Sequence, residues 1–183
     1  MAGVQVRITK PEFNLREKLN KLDYGRVPYE KMPAGTVIQH VFNHNAGTNH
    51  LTTTNSSFTD LSFSVSISPL FSDSLMLIEY SSLGQQPNTA VGASAVTIYR
   101  DNTTNIGSTS HSAMGLAVVG EFGNTSTGGG IYVTAPINFF VYDTPNTTST
   151  TKYSIYGRTT SSGTAYIAHS GVSRTLSVKE IKQ

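Results

Sequence analysis

The chain has 183 residues, no cysteine, 13% charged residues and a formal net charge of +2. The missing cysteines exclude a disulfide framework and a thiolate metal site. The small net charge leaves no electrostatic footprint for nucleic acid. Ser, Thr, Gly and Asn are abundant, yet nine Tyr and eight Phe fall in periodic runs with Val and Ile. That pattern argues for a folded all-β domain over a disordered chain, which would lack aromatic and β-branched residues.

Charge divides the chain. Residues 1–33 hold seven basic and four acidic side chains, and residues 34–183 hold six and seven. The basic segment carries its own helix signals. Thr9 and Glu12 have capping-box spacing, and Ile8 with Phe13 has the spacing of a hydrophobic staple. Pro11 lies in the first turn, where its missing N–H is tolerated. Leu15, Leu19 and Leu22 then form a narrow apolar stripe, and Gly25 is placed to end the helix. The pattern predicts a helix over about residues 10–24. At roughly four turns it is marginal alone in water and needs a surface to lie on. Residues 26–35 read as an extended, proline-punctuated linker. The expected organisation is an N-terminal anchor over 1–35 and a β domain over 36–183. Phe13, Leu15, Leu19, Leu22, Tyr24, Arg26 and Tyr29 are the candidate attachment residues. Val4, Val6 and Ile8 are interrupted by Gln5 and Arg7, so no secretory leader is expected. No apolar run reaches the length of a membrane span.

The β domain opens with a strand over 36–42, followed by a polar loop or weak strand over 44–54. Residues 58–68 alternate most cleanly: Leu61, Phe63, Val65 and Ile67 against Ser62, Ser64, Ser66 and Ser68, a core face and a hydroxyl face. Residues 75–80 are apolar on both faces and predict a central strand. Strands are expected over 95–100 and 113–119, with a polar loop over 101–107 between them. Residues 123–130 form a Gly/Ser/Thr loop. The last stretch, 137–181, reads as four short strands. In 137–142 the apolar residues run almost unbroken, as in a strand covered on both sides or one whose second face meets a partner. Phe140 and Tyr142 are therefore candidate residues of a contact between copies. In 152–158, Tyr153 and Ile155 share one face against Lys152, Ser154, Tyr156 and Arg158. In 174–180, Leu176 and Val178 share one face against Thr175, Ser177 and Lys179. Asp143, Pro145 and Asn146 supply turn chemistry, and Gly163 and Gly171 suit tight connections. About eight or nine strands with frequent turns predict a single antiparallel β-sandwich, jelly-roll-like, preceded by the short helix and linker.

No catalytic constellation stands out. His40 and His44 are four apart on a predicted strand, where that spacing does not converge, and no carboxylate completes a set with them, His50, His111 or His169. Residues 101–107 resemble the start of a calcium loop, but the glycine comes one position late and the closing Glu is absent. The glycine-rich 123–130 lacks the Lys-Ser/Thr of a phosphate loop. The expectation is a protein that is not an enzyme, with no catalytic, metal or cofactor-binding residues and no cofactor. What remains is surface. Tyr99, Asp101, His111 and Asn124, on or beside the loops, are candidate ligand residues, suited to stacking and hydrogen bonding with a glycan.

Two blocks carry a resemblance. The run from Ile8 to Gln39, ITKPEFNLREKLNKLDYGRVPYEKMPAGTVIQ, resembles the N-termini of small virion structural proteins of tailed phages that infect marine cyanobacteria. The closing cassette, with Asp143, Thr144 and Pro145 and a final Val178, Lys179, Glu180 and Ile181, resembles the ends of β domains in phage fibre and virion-surface proteins. The resemblance implies a non-enzymatic virion protein located in the particle and assembled in the host cytoplasm. It implies attachment to other virion proteins through residues 8–35 and self-association as a homotrimer or other multimer. The tail-fibre-like or adaptor role comes first. A head decoration protein and a module binding a host-surface glycan or receptor are the alternatives.

Overall fold

A computed structural model describes residues 27–85, 93–107, 117–119, 134–160 and 163–183, with only the backbone of 117–119. The predicted helix over 10–24, with Phe13, Leu15, Leu19, Leu22, Tyr24 and Arg26, lies outside the described residues. The chain divides between Pro33 and Ala34 into two units. In the first, the described part is a 3₁₀ turn at Tyr29–Lys31, closed by the Lys31 and Met32 amides donating to Pro28 O and Tyr29 O. The expected extended linker is thus tightened by one turn. Pro28 supplies its entry, and Pro33 cannot donate the next bond.

The second unit is all-β. In chain order its strands are β1 (Val37–Asn45), β2 (Leu51–Thr53), β3 (Thr59–Ile67), β4 (Leu75–Gln85), β5 (Ser94–Arg100), β6 (Thr104–Asn105), β7 (Ala117–Val119), β8 (Thr134–Asp143), β9 (Thr151–Thr159), β10 (Ala165–Ala168) and β11 (Arg174–Ile181). All recorded pairings are antiparallel. One sheet runs β1-β11-β4, with β8 on the far side of β4 and the short β10-β2 pair continuing from the end of β4. The other runs β3-β9-β5, with β6 and β7 on the far side of β5. Leaving aside the short β2, β6 and β10, the remaining strands taken in chain order lie 1-8-3-6 against 2-7-4-5. That is the order of a jelly roll. The predicted β-sandwich is the observed architecture, and strand β2 falls inside the stretch read as a polar loop or weak strand.

The core forms where the alternation places it. Phe63, Val65 and Ile67 of β3 face Met76, Ile78 and Tyr80 of β4, with Ile155 of β9 and Leu176 and Val178 of β11. Each such side chain, fully buried, stabilises by about 1.5–3 kcal/mol. One charged group of the core is tied down by three bonds. Glu180 is fully buried on β11. Its Oε1 accepts from the Leu70 and Phe71 amides at 2.8 and 3.1 Å and from Ser74 Oγ at 2.7 Å. This carboxylate holds the corner between β3 and β4, where Pro69 ends the ladder. At the opposite rim, Gly47 (φ +83°) packs so close to Val172 that a Cβ would meet the Val172 carbonyl oxygen at 2.2 Å. Only glycine fits that approach.

The structure decides the coverage of two strands. Strand β8, with its almost unbroken apolar run, is not covered on both sides. Ile137 is buried and Phe139 and Val141 pack on the core, while Phe140 and Tyr142 are 64% and 53% exposed. Strand β9, read as half-polar, buries the middle of its second face as well, with Ser154 fully buried and Tyr156 at 8% exposure, while Lys152 and Arg158 stay partly exposed. The cause is the tight turn after β5. Asp101 and Asn102 take positive φ (50° and 59°), which Asp and Asn tolerate better than most residues. The turn folds back over β9, and Asn102 Oδ1 accepts from Ser154 Oγ at 3.1 Å.

Candidate interaction surface

The outer face of the β1-β11-β4-β8 sheet is the most distinctive surface of the described residues. Strand register arranges it in rows. Phe42, Ser177, Glu79 and Phe140 lie side by side across the four strands. On one side of that row stand His40, Lys179, Leu77 and Tyr142, and on the other His44, Thr175, Ser81 and Asn138. The outer strands carry aromatics, and the two inner strands carry three small hydroxyls (Thr175, Ser177 and Ser81) with Glu79, Lys179 and Leu77. With strands about 4.8 Å apart, the Phe42 and Phe140 backbones stand about 14 Å apart. The face is therefore a trough with aromatic walls. Beside Phe140 it deepens into a depression of about 350 Å³ bordered by Glu79, Ser81, Asn138, Phe140, Thr175 and Ser177.

The walls are exposed: Phe42 at 63% and Phe140 at 64%. Phe140 meets Tyr142 edge-on with ring centroids 5.9 Å apart, and His40 lies 5.7 Å from Phe42. The floor is polar and partly engaged. Lys179 Nζ sits 2.6 Å from Glu79 Oε2, which also accepts from Ser177 Oγ at 3.3 Å. Ser81 Oγ donates to Asn138 Oδ1 at 2.7 Å, and His44 Nδ1 lies 2.9 Å from Thr175 Oγ1. Glu79 Oε1 and the Asn138 amide nitrogen have no recorded partner among the described residues.

Of the candidates named from sequence, those described in the β unit fall on different surfaces of it. Phe140 and Tyr142 lie together on this face. Tyr29 is half exposed in the 3₁₀ turn of the first unit. Tyr99 stacks on Tyr156 at 4.0 Å on the other sheet's outer face. Asp101 is exposed, but its Oδ1 accepts from the Lys152 amide at 2.8 Å, so the carboxylate helps fasten the turn. His111 and Asn124 lie outside the described residues. His40 and His44 sit in different rows of the trough, and no group of three metal-ligating side chains converges among the described residues.

The sequence reading missed two residues. Asp143, assigned to turn chemistry, faces inward at the end of β8. It accepts from Arg100 Nη1 at 2.8 and 2.9 Å and from the Tyr153 hydroxyl at 2.8 Å. These bonds join the two sheets. Burial, and then the adjacent Asp143 carboxylate, push the Tyr153 phenol well above its ordinary value, so it stays a donor. Glu180 was read only as part of the closing strand. Both carboxylates share the strand parity of apolar core residues, and that parity is the signal that finds them.

No family model and no curated protein matches the chain. Among solved structures it is similar to a chain of "Structure of infectious bursal disease virus Gt strain". The TM-score is 0.32 and the identity 13%, over 81% of this chain and 43% of that chain. The chain thus spans less than half the length of that neighbour.

Proposed function

We propose that the protein is a non-enzymatic structural component of a virion, displaying its jelly-roll body on the particle. In its finer form the reading is a tail-fibre-like or adaptor component of a tailed phage. It is attached to other virion proteins through residues 8–35 and associates with its own copies. A head decoration role is the nearest alternative. A jelly roll serves many functions, so the fold alone does not decide the role. The observation that carries the reading is the outer sheet face, where Phe42, Phe140 and Tyr142 stand in solvent. Aromatic residues exposed in this way are enriched where proteins meet partners. The sequence resemblance at both ends of the chain supports the same reading. No helix among the described residues is long and apolar enough to cross a membrane. Mass spectrometry of purified particles, with gold labelling of the C-terminus, tests the proposal. Stoichiometric presence at one position on the particle is expected, and absence from the particle overturns it. Particles carrying a chain that lacks residues 1–33 test the attachment: loss of the body from the particle is expected.

A second reading, recognition of a host-surface glycan or receptor, is favoured by the polar floor between the aromatic walls.

A further inference from the structure

We propose that the depression beside Phe140 binds a neutral carbohydrate, with Phe140 as stacking platform and Glu79 and Asn138 as the groups that read the sugar hydroxyls. The proposal deepens the second reading. It moves the ligand site from the loops at Tyr99 and Asp101 to the open sheet face.

Three observations select this occupant. The first is the juxtaposition of one exposed aromatic ring with a row of hydrogen-bonding groups. Phe140 pairs with Glu79 across the strands, and Asn138 pairs with Ser81 in the next row. A pyranose presents an apolar C–H face and an equatorial belt of hydroxyls, so it needs a ring to lie against and donors and acceptors at its edge. The second is residual bonding capacity. Glu79 Oε2 and Asn138 Oδ1 are already held by Lys179, Ser177 and Ser81, which fixes both side chains. Glu79 Oε1 remains as an acceptor and the Asn138 amide nitrogen as a donor, on two residues that border the depression. Preorganised side chains of this kind lose little entropy on binding. The third is what an apolar occupant would cost. A second copy pressed flat on this trough would desolvate Glu79, Asn138, Ser81 and Thr175 and leave part of their capacity unpaired, which is unfavourable. A polyhydroxylated ligand satisfies the same groups. The Glu79–Lys179 pair leaves this part of the face without net charge, so nothing there recruits an anionic sugar over a neutral one.

The depression, about 350 Å³, lies at the lower end of ligand-pocket volumes. It is open along the trough, so it suits one or two residues of a longer chain. The proposal calls for weak, repeat-dependent binding of a polymer.

Affinity electrophoresis of the full chain in gels containing dextran, galactomannan or xyloglucan, with dextran sulfate as the charged control, tests it. Retardation by at least one neutral polysaccharide is expected, without preference for the sulfated one. Phe140→Ala and Asn138→Ala are each expected to weaken retardation about tenfold, as loss of one stacking or hydrogen-bonding contact implies. Both residues are exposed, and unchanged circular dichroism and unfolding midpoint confirm that the variants fold. No retardation by any neutral probe overturns the proposal, as does retardation by dextran sulfate alone. Retardation that survives both substitutions also overturns it. Light scattering over rising concentration supplies the remaining arm. A dimer of the natural chain that Phe140→Ala abolishes assigns the trough to a second copy and overturns the sugar site. The presence of the chain in the particle is measured independently, so failure of the sugar site leaves the structural role standing.

Discussion

Strands β8 and β9 are sequence neighbours with opposite coverage, and the contrast is the main lesson of the molecule. Strand β8 is nearly all apolar and keeps one face in solvent. Strand β9 alternates apolar with polar and buries most of both, leaving only Lys152 and Arg158 partly exposed. Periodicity specifies which side chains point to the core, because a one-residue slip would invert the whole strand. It does not specify what lies above the other face. Strand β9 sits mid-sheet between β3 and β5 and is roofed by the 101–103 turn. Among the described residues β8 has one strand neighbour, β4, and nothing roofs Phe140. Burial of a polar face is thus decided by a turn remote in sequence, and an apolar run does not by itself bury both faces of a strand.

Substitutions in the two strands break or sharpen the contrast. The largest effect is expected where β8 meets the second sheet. Replacing Asp143 with Ala leaves Arg100, 24% exposed at its side chain, and the Tyr153 hydroxyl without their shared acceptor. Removing one partner of a buried ion pair typically costs about 3–5 kcal/mol, and residual exposure of Arg100 places this site near 3. Urea unfolding measures it. A loss below about 1 kcal/mol would show that the inter-sheet bond is dispensable.

On the roofed face, Tyr156→Ala removes the Tyr99 stack and uncovers Ser154 and Asn102. The expected loss is about 2–3 kcal/mol, between an exposed and a fully buried aromatic deletion. On the open face, Phe140→Ala removes a side chain of similar size. There the expected change is about 0.5 kcal/mol, as for an exposed position away from caps and cavities. The two measurements belong together. Equal losses would mean that β8 is as covered as β9, and the account of the open trough would fall.

Much of this was legible in the residues. Phe63, Val65 and Ile67 are buried as their alternation with serine requires, and Leu176 and Val178 follow the same rule. The jelly-roll class follows from many short strands between turn residues. The trough was only half legible. Phe140 and Tyr142 stood out as apolar residues in excess of one face, but Phe42, Glu79 and Ser177 join them through register between strands far apart in sequence. Local spacing carries no trace of that. Asp143 shows the same limit from the other side. Its neighbours Thr144 and Pro145 advertise a turn, while its partner Arg100 is 43 residues away.

The smallest effect is expected at the rim, where β10 and β2 meet. His50 Nδ1 accepts from the Ser170 amide at 3.0 Å, which requires the neutral ring at that nitrogen, and Nε2 lies 3.1 Å from Ser170 Oγ. The rings of Tyr166 and His169 stand 5.1 and 4.6 Å away. Partial desolvation, followed by the charges of His169 and Arg174, holds His50 below its ordinary 6.5. A depressed value means that the folded state binds this proton less readily than the unfolded chain does. The contribution is therefore fully present above about pH 6.5 and is lost as pH falls through the folded-state value. The ring is largely open to solvent, so the loss is small. Unfolding midpoints of the natural chain should decline slightly more between pH 7 and pH 5 than those of His50→Asn, which cannot take up the proton. A larger decline in the variant would reverse the sign and show that His50 is stabilised as the cation, with the Ser170 amide turned away from it.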